Sequence, residues 1–474
     1  MPKFTCRLSG GAILAAIGLA VALLVVSVEP SSAGPFNWFK GKNQGQGQNQ
    51  PPDQYNQYQA PQAQPGPPQG GGGLFGGLFG GGKGASRTAP SHESHASELP
   101  EGDPEVAMIV NPALGLPTLS TNNIAATKAA IEKYKAIVAQ GGWPAVPAVA
   151  MKPGARGQEI VILHKRLEVS GDLVGMSIPD EYDAAVVAAM KKFQVRHGLP
   201  PTGVVDSKAT VEALNVPASV RLAQLEANLR RLQSLAPSAA GRHVLVNVPA
   251  AQVEAVEGRQ VVQRHAAVVG KIERPTPELS SKISEINFNP YWHVPRSIVH
   301  KDLVPKGRQF AQRGQDMLAA YHMEAFDQQG NPLDPRQIDW FGEAVYSYNF
   351  RQRPWEENSL GFVKINFANK DAVYLHDTPL KSLFGKAIRF ESSGCVRVHN
   401  VSSLVAWIMR DNPGWSLNRI EQMKHTGEQI DVKVANPIPI YLAYVSAWAT
   451  PDGQVHFRPD IYNHDAGAFT ASAY

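Results

Sequence analysis

The sequence predicts a multidomain protein. A helical scaffold segment, a small three-helix α module and a connecting helix lead into a mostly β domain interrupted by a helical lid insertion. Three observations carry this. Apolar residues recur at helical spacing between residues 105 and 240, they alternate or run in short β-type blocks after 241, and a Gln/Gly/Pro-rich stretch separates both from an apolar N-terminal run. At 474 residues, 43% of them hydrophobic, the chain is long enough for two or three cores. Its 45 basic and 41 acidic residues leave a net charge of +4 with no Lys/Arg block, which argues against a nucleic-acid partner.

Taken in order, Lys3 and Arg7 precede an apolar run at 11–28, and Ser31-Ser32-Ala33 supplies a small-x-small site. Residues 1–33 therefore read as a signal peptide cleaved after Ala33 or as an uncleaved N-terminal anchor in the inner membrane. Either way the rest of the chain is exported. Residues 34–104, with the Gly-Leu-Phe-Gly repeat at 73–80, read as a disordered linker, because such composition cannot bury enough apolar surface to offset chain entropy. Residues 105–150 form the scaffold segment, with a helix over 122–140 whose Ile131, Tyr134 and Ile137 make one stripe.

Residues 151–216 hold three helices. Ile160, Leu163 and Leu167 line the first, and Tyr182, Val186, Met190 and Phe193 the second, while Asp206 or Ser207 caps the third. Residues 217–240 are a connecting helix, Leu222, Leu225, Leu229 and Leu232 facing a core and Arg221, Arg230 and Arg231 facing solvent. The β domain spans 241–465, with strands at 243–248, 261–269 and 285–292. An insertion over about 297–360 carries helical pieces at 297–304 and 307–319 and the aromatics Tyr346, Tyr348, Phe350 and Trp355, as a lid would. Strands resume at 363–367 and a helix follows at 401–409. Residues 438–449 and 455–457, turned by Asp452-Gly453, form a terminal hairpin assigned to the same sheet, and 466–474 is a tail.

The chemistry concentrates in residues 374–400. Cys395 follows Ser392-Ser393-Gly394, a turn in which Gly394 tolerates dihedrals that a β-carbon forbids. With Cys6 lost in a cleaved leader, Cys395 has no partner for an intramolecular disulfide, and an unpaired thiol in an oxidising compartment is a liability unless used or buried. A thiol of pKa about 8.5 needs an imidazole in reach to act as a nucleophile near neutrality. His376, nineteen residues upstream at the end of an apolar run that Asp377-Thr378-Pro379 breaks, is the first candidate. His399 is a rival if the chain turns helical after Cys395. Free amides at Gly394 and Cys395 could hold an oxyanion. Arg397 and Arg389 either bind a substrate carboxylate or pair with Asp377 or Glu391. The histidines form no HExxH cluster, so neither a metal nor another cofactor is expected.

His376-x-Thr378-Pro379, the intervening Phe384-Gly385-Lys386, and Ser392-Ser393-Gly394-Cys395-Val396-Arg397-Val398-x-Asn400 resemble, in order and spacing, the signature of the L,D-transpeptidases, cysteine acyltransferases of the bacterial cell wall. The resemblance implies Cys395 as nucleophile and His376 as its base. Arg397, Ser393, Asp377 and Tyr374 become candidates for substrate contact, and the insertion corresponds to the capping lid of larger members. Many members carry histidine where this chain has Ser393. The order Gly154-x-x-Gly157-x-x-Ile160-x-x-Leu163, Phe193-Gln194, Gly198-Leu199, Thr202-Gly203-Val204-Val205 and Thr210-Val211-x-x-Leu214 is similar to peptidoglycan-binding modules appended to wall enzymes. Together these imply a periplasmic enzyme whose partners are the stem peptides and glycan of peptidoglycan. It would take the acyl group of a tetrapeptide stem onto Cys395 and pass it to diaminopimelate, giving a 3→3 crosslink. The alternatives are the same thiol attaching or releasing envelope proteins, and a non-catalytic wall-binding scaffold.

Overall fold

The first described residues already serve the β domain. In the computed structural model, which describes residues 97–100 and 102–465, Ser97 donates to the Pro379 carbonyl at 3.1 Å and accepts from the Ser382 amide at 2.9 Å. Leu99 and Val106 pack beside Val268, Leu383 and Phe384, with α1 (Pro104–Val110) opened by the Asp103 carboxylate. Residues 97–100 and 102–104, expected in the linker, thus belong to the folded part, because Leu99 and Val106 find an apolar notch there. The leader at 1–33, the rest of the linker and the tail at 466–474 lie outside the described residues. All described residues fall in the second of two compact units, 73–474. No helix among the described residues is long and apolar enough to cross a membrane.

In α2 (Thr121–Ala139) the expected stripe of Ile131, Tyr134 and Ile137 is buried. The module follows as α3 (Gln158–Ser170), α4 (Ala184–Arg196) and α5 (Lys208–Asn215), closed around Ile160, Leu163, Leu167, Met190, Phe193 and Leu214. Asp183 caps α4 through the Val186 amide at 2.9 Å, and Ser207 caps α5 through the Thr210 amide at 3.2 Å. The long α6 (Ala218–Leu235) packs on α2. Its basic face does not meet water as expected. Arg221 is buried with its guanidinium 4.6 Å from the Phe457 ring centroid, and Arg231 pairs with Asp465. Only Arg230 is exposed. Carbonyls and aromatic rings from the chain's C-terminal end take the guanidiniums, and helical periodicity alone could not reveal them.

The β domain opens with β1 (His243–Asn247), β2 (Gln252–Glu257), β3 (Gln260–Gly270) and β4 (Leu279–Phe288). The lid contributes β5 (Trp292–His293), α7 (Arg296–Ile298), a π-helical turn at Val299–Leu303, α8 (Val304–Gln312), α9 (Met317–Ala320), β6 (Met323–Phe326) and β7 (Asn349–Gln352). The chain then returns through β8 (Val363–Phe367), β9 (Leu375–His376), β10 (Phe390–Ser392), β11 (Val396–Val398), α10 (Val401–Ile408), α11 (Leu417–Thr426) and β12 (Ile430–Ala443), and ends in β13 (Ala447–Ala449) and β14 (Val455–Phe457).

The main sheet runs β10-β3-β11-β9-β8-β4-β12-β1-β2, with β2 also paired to β3. Ala267 donates to the Ala251 carbonyl on the side of β2, whereas the Ala266 carbonyl accepts from His399 on the side of β11. Successive residues of a strand bond to opposite edges, so β3 has β2 and β11 as its two neighbours and the sheet closes on itself. The inner faces, with Val244, Val269, Ile286, Ile365, Leu375 and Val396, pack on Leu404, Ile408, Ile420 and Met423 of α10 and α11.

Two expectations need correction. The insertion is not purely helical, since β5, β7 and β6 form a three-stranded antiparallel sheet beneath its helices. The terminal hairpin is not in the catalytic sheet. After β12, which is in it, β13 and β14 pair only with each other and pack against Tyr134, Leu225 and Trp143 of the helical scaffold. Alternation and an Asp-Gly turn identify a hairpin, but they do not say which layer covers its apolar face.

Candidate active site

Strand register sets the site. Arg397 pairs with His376, His376 with Lys364, Lys364 with Asn287, and Asn287 with Asp431. Two residues along each strand, Cys395 lies beside Tyr374, and the row continues through Asn366, Glu285 and Lys433. Because side chains alternate faces with period two, the two rows share the face opposite the apolar core. Side-chain contacts agree: the Tyr374 and His376 rings meet edge to face at 5.6 Å, and Lys364 Nζ stands 4.5 Å from the Tyr374 ring centroid. Asn287 donates to Asp431 at 2.6 Å and Asn366 to Glu285 at 3.3 Å. A polar track thus crosses five strands, with Lys364 and Arg397 near the thiol and the carboxylates Glu285 and Asp431 on β4 and β12.

The turn bearing Cys395 is braced from several directions. Gly394 has φ of 114°, a conformation that favours glycine. Its carbonyl accepts from Thr276 Oγ1 at 2.8 Å, and Thr276 Oγ1 in turn accepts from the Gly270 amide at 2.9 Å. A Cβ on Gly270 would lie 2.3 Å from the Arg274 carbonyl oxygen, so only glycine lets the loop after β3 approach this closely. Ser392 Oγ accepts from the Gly394 amide at 3.2 Å and donates to the Cys395 carbonyl at 2.5 Å. The Gly394 amide is therefore already engaged, contrary to the sequence expectation that it is free. Among the described residues no acceptor takes the Cys395 amide. Ser393 is exposed, and its hydroxyl accepts from Arg274 Nη1 at 2.9 Å.

Electrostatics favour the neutral forms of His376 and Cys395. Burial lowers the His376 pKa to about 3, with Arg397, Lys364 and Lys381 adding repulsion and a backbone hydrogen bond to Asp377 working against it. Its Nδ1 is buried without a hydrogen-bond partner, leaving that nitrogen available to take a proton. Burial also pushes the Cys395 thiol up, opposed by hydrogen bonding from Tyr374 and by the charges of Lys364 and Arg397. The same loss of water raises Tyr374 well above the ordinary phenol range and lowers Lys364 and Arg397.

A cavity of about 210 Å³ lies between the lid and these strands. Trp292, Asp302, Lys306, Met317, Tyr321 and Glu357 line it from the lid's side, and Thr378, Leu380 and Arg397 from the sheet. Arg397, whose Nε is buried and unpartnered, is thus the expected candidate that the fold brings into the cavity. Asp377 is turned away: its carboxylate pairs with Lys381, accepts from the Phe362 amide at 3.3 Å, and fills space that a Cβ on Gly361 would need. Arg389 is spent on carbonyls of Ala267 and Lys386, and Glu391 pairs with Lys386. His399 follows a strand, not a helix turn, and its ring packs on Phe384. No group of three His, Cys, Asp or Glu side chains among the described residues is arranged to hold a metal ion.

Sequence reasoning missed Lys364, Thr276, Arg274 and Asp302. All four reach the site through register or loop closure, and none carries a local signal.

Residues 241–434 match the family model of the L,D-transpeptidase catalytic domain, and residues 156–214 that of the "Putative peptidoglycan binding domain". A curated "Putative L,D-transpeptidase" of Haemophilus influenzae is 31% identical over 223 residues, 47% of this chain and 44% of that protein, so the match spans less than half the relative's length. A crystal structure of an L,D-transpeptidase from Stackebrandtia nassauensis overlaps 65% of this chain and 98% of its own at 14% identity and a TM-score of 0.23. One from Xylanimonas cellulosilytica overlaps 63% and 98% at 16% identity and a TM-score of 0.21. Overlaps this loose carry no argument here. What the family models and the curated relative show is a catalytic domain of L,D-transpeptidase type over residues 241–434, with a domain of the peptidoglycan-binding family ahead of it at 156–214.

Proposed function

We propose that this protein is exported to the periplasm by its leader and there joins peptidoglycan stems by 3→3 crosslinks. The observation that carries the reading is a buried imidazole, its Nδ1 unpartnered, on the strand beside the only cysteine of the catalytic domain. As the Cys395 sulfur attacks the carbonyl between the third and fourth residues of a tetrapeptide stem, His376 Nδ1 takes the thiol proton. The oxyanion is met by the Cys395 amide. The imidazolium then protonates the leaving amine, the terminal D-residue departs, and a thioester remains. The side-chain amine of diaminopimelate in a second stem attacks the thioester, His376 receives its proton, and collapse restores the thiol. The energy of the cleaved peptide bond is held in the thioester, so no nucleotide is consumed. Arg397, in the cavity with an unpartnered Nε, suits a substrate carboxylate.

The test is incubation of the purified protein with tetrapeptide muropeptides and identification of the products by mass spectrometry. Crosslinked dimers that vanish with Cys395→Ala support the reading. Shortened stems without dimers would instead indicate a hydrolase, and unchanged crosslinking by Cys395→Ala would refute the thiol mechanism.

A further inference from the structure

Arg274 connects two parts of the protein that the reaction must coordinate. It lies in the loop between β3 and β4, which Gly270, Thr276 and Tyr462 hold tightly: Tyr462 Oη accepts from the Thr276 amide at 3.2 Å, and Arg274 N–H donates to the Lys271 carbonyl at 2.9 Å. From that fixed base its guanidinium divides. Nη1 donates to Ser393 Oγ in the nucleophile turn, and Nη1 and Nη2 together grip the Asp302 carboxylate, Nη2 at 3.1 Å from Oδ1. Asp302 sits in the π-helical turn of the lid and lines the cavity above Arg397. Such π-turns inside helices are commonly found at functional positions.

An ion pair whose carboxylate is nearly half exposed contributes little to stability. Its consequence is geometric, because a planar, two-pronged donor can fix two acceptors relative to each other. The Ser393 side chain is short, and Arg274 Nη1 comes to it at 2.9 Å. The cavity beneath the lid, about 210 Å³, is smaller than the roughly 300–1,000 Å³ of sites that bury a drug-sized ligand, so outward movement of the lid would widen it for a stem.

We propose that Arg274 is a positioning residue that latches the lid, through Asp302, to the Cys395 turn, through Ser393. The lid then seats in register with the nucleophile, and parting of Arg274 from Asp302 admits substrate. The kinetic arm of the test rests on the acyltransferase reading, while its labelling arm does not.

The experiment uses the full chain and follows alkylation on the Cys395-bearing peptide with a bulky reagent, fluorescein maleimide, and a small one, iodoacetamide. Arg274→Ala and Asp302→Asn are each expected to raise bulky labelling about fivefold, the shift that a pair of this exposure supports. Iodoacetamide labelling and Tm should stay unchanged. The double variant should be no faster than either single one, because both remove the same link. Crosslinking kcat should fall about tenfold in Arg274→Ala and Ser393→Ala through misplacement of the turn. Arg274→Lys, whose single ammonium cannot span both partners, should fall between wild type and Arg274→Ala. Unchanged bulky labelling in Asp302→Asn with native Tm, or additive effects in the double variant, would overturn the proposal. Were the wild type to form no crosslinks, the functional reading would fail while labelling still decided the latch.

Discussion

At the scale of the residue, the resting site holds a neutral imidazole and a protonated thiol, and the reason is location. His376 is buried beside Arg397, Lys364 and Lys381, with no carboxylate among the described residues set to share an added proton, since Asp377 is committed to Lys381. A thiolate–imidazolium pair would need the opposite surroundings. Alkylation of Cys395 by iodoacetamide is therefore expected to rise with pH through an apparent pKa above the ordinary thiol range, with no inflection near 6.5. A rate already at its plateau at pH 6 would mean a preformed ion pair. Replacing His376 by Ala should lower kcat by about 10²- to 10⁴-fold, the usual worth of a general base, and leave the fold intact. Cys395, His376 and Arg397 could be read from one short stretch because their spacing is local. Lys364 and Thr276 could not, because strand order and a loop more than a hundred residues before the cysteine bring them there.

At the scale of the element, the lid is a small domain with its own core of Val299, Val304, Met317, Leu318, Val345 and Phe350. Gly307 is its tightest point. A Cβ there would stand 2.1 Å from Trp340 Cε3, and Trp340 is itself stacked on Phe350 at 5.8 Å. Gly307→Ala is expected to cost about 1–3 kcal/mol by overpacking. Faster amide hydrogen exchange confined to residues 292–352, with the main sheet unchanged, would confirm this, and unaltered exchange would contradict it. Alternation made β8 legible, and helical stripes did the same for α2 and α3. What stayed hidden was which surface each face meets: the β13–β14 hairpin left the sheet for the scaffold, and on α6 Arg221 turned inward to Phe457 and Arg231 to Asp465.

At the scale of the whole molecule, that hairpin joins the peptidoglycan-binding-type domain to the catalytic domain. Arg196 of α4 pairs with Asp172 and donates to the Val455 carbonyl at 3.2 Å, while Arg458 donates back to the Arg196 carbonyl at 3.0 Å. Gln224 of α6 donates to the Arg458 carbonyl at 2.9 Å. Both Asp172 and Arg196 are almost wholly buried, so Asp172→Asn strands a guanidinium and should cost about 3–5 kcal/mol. Thermal unfolding checks it: a Tm drop of several degrees is expected, and a drop within error would mean that the junction does not depend on the pair. A junction of this kind fixes the distance from the wall-binding-type helices to the thiol, as a flexible tether would not.

The central claim is that Cys395 carries the acyl group. The most direct measurement mixes the protein with a tetrapeptide stem whose amines are blocked, quenches in acid, and reads the mass of the Cys395 peptide. The expected result is an added acyl group on that peptide, absent in Cys395→Ala and much slower to form in His376→Ala. An unmodified Cys395 peptide alongside released D-residue, or an acyl group found on another side chain, would contradict it.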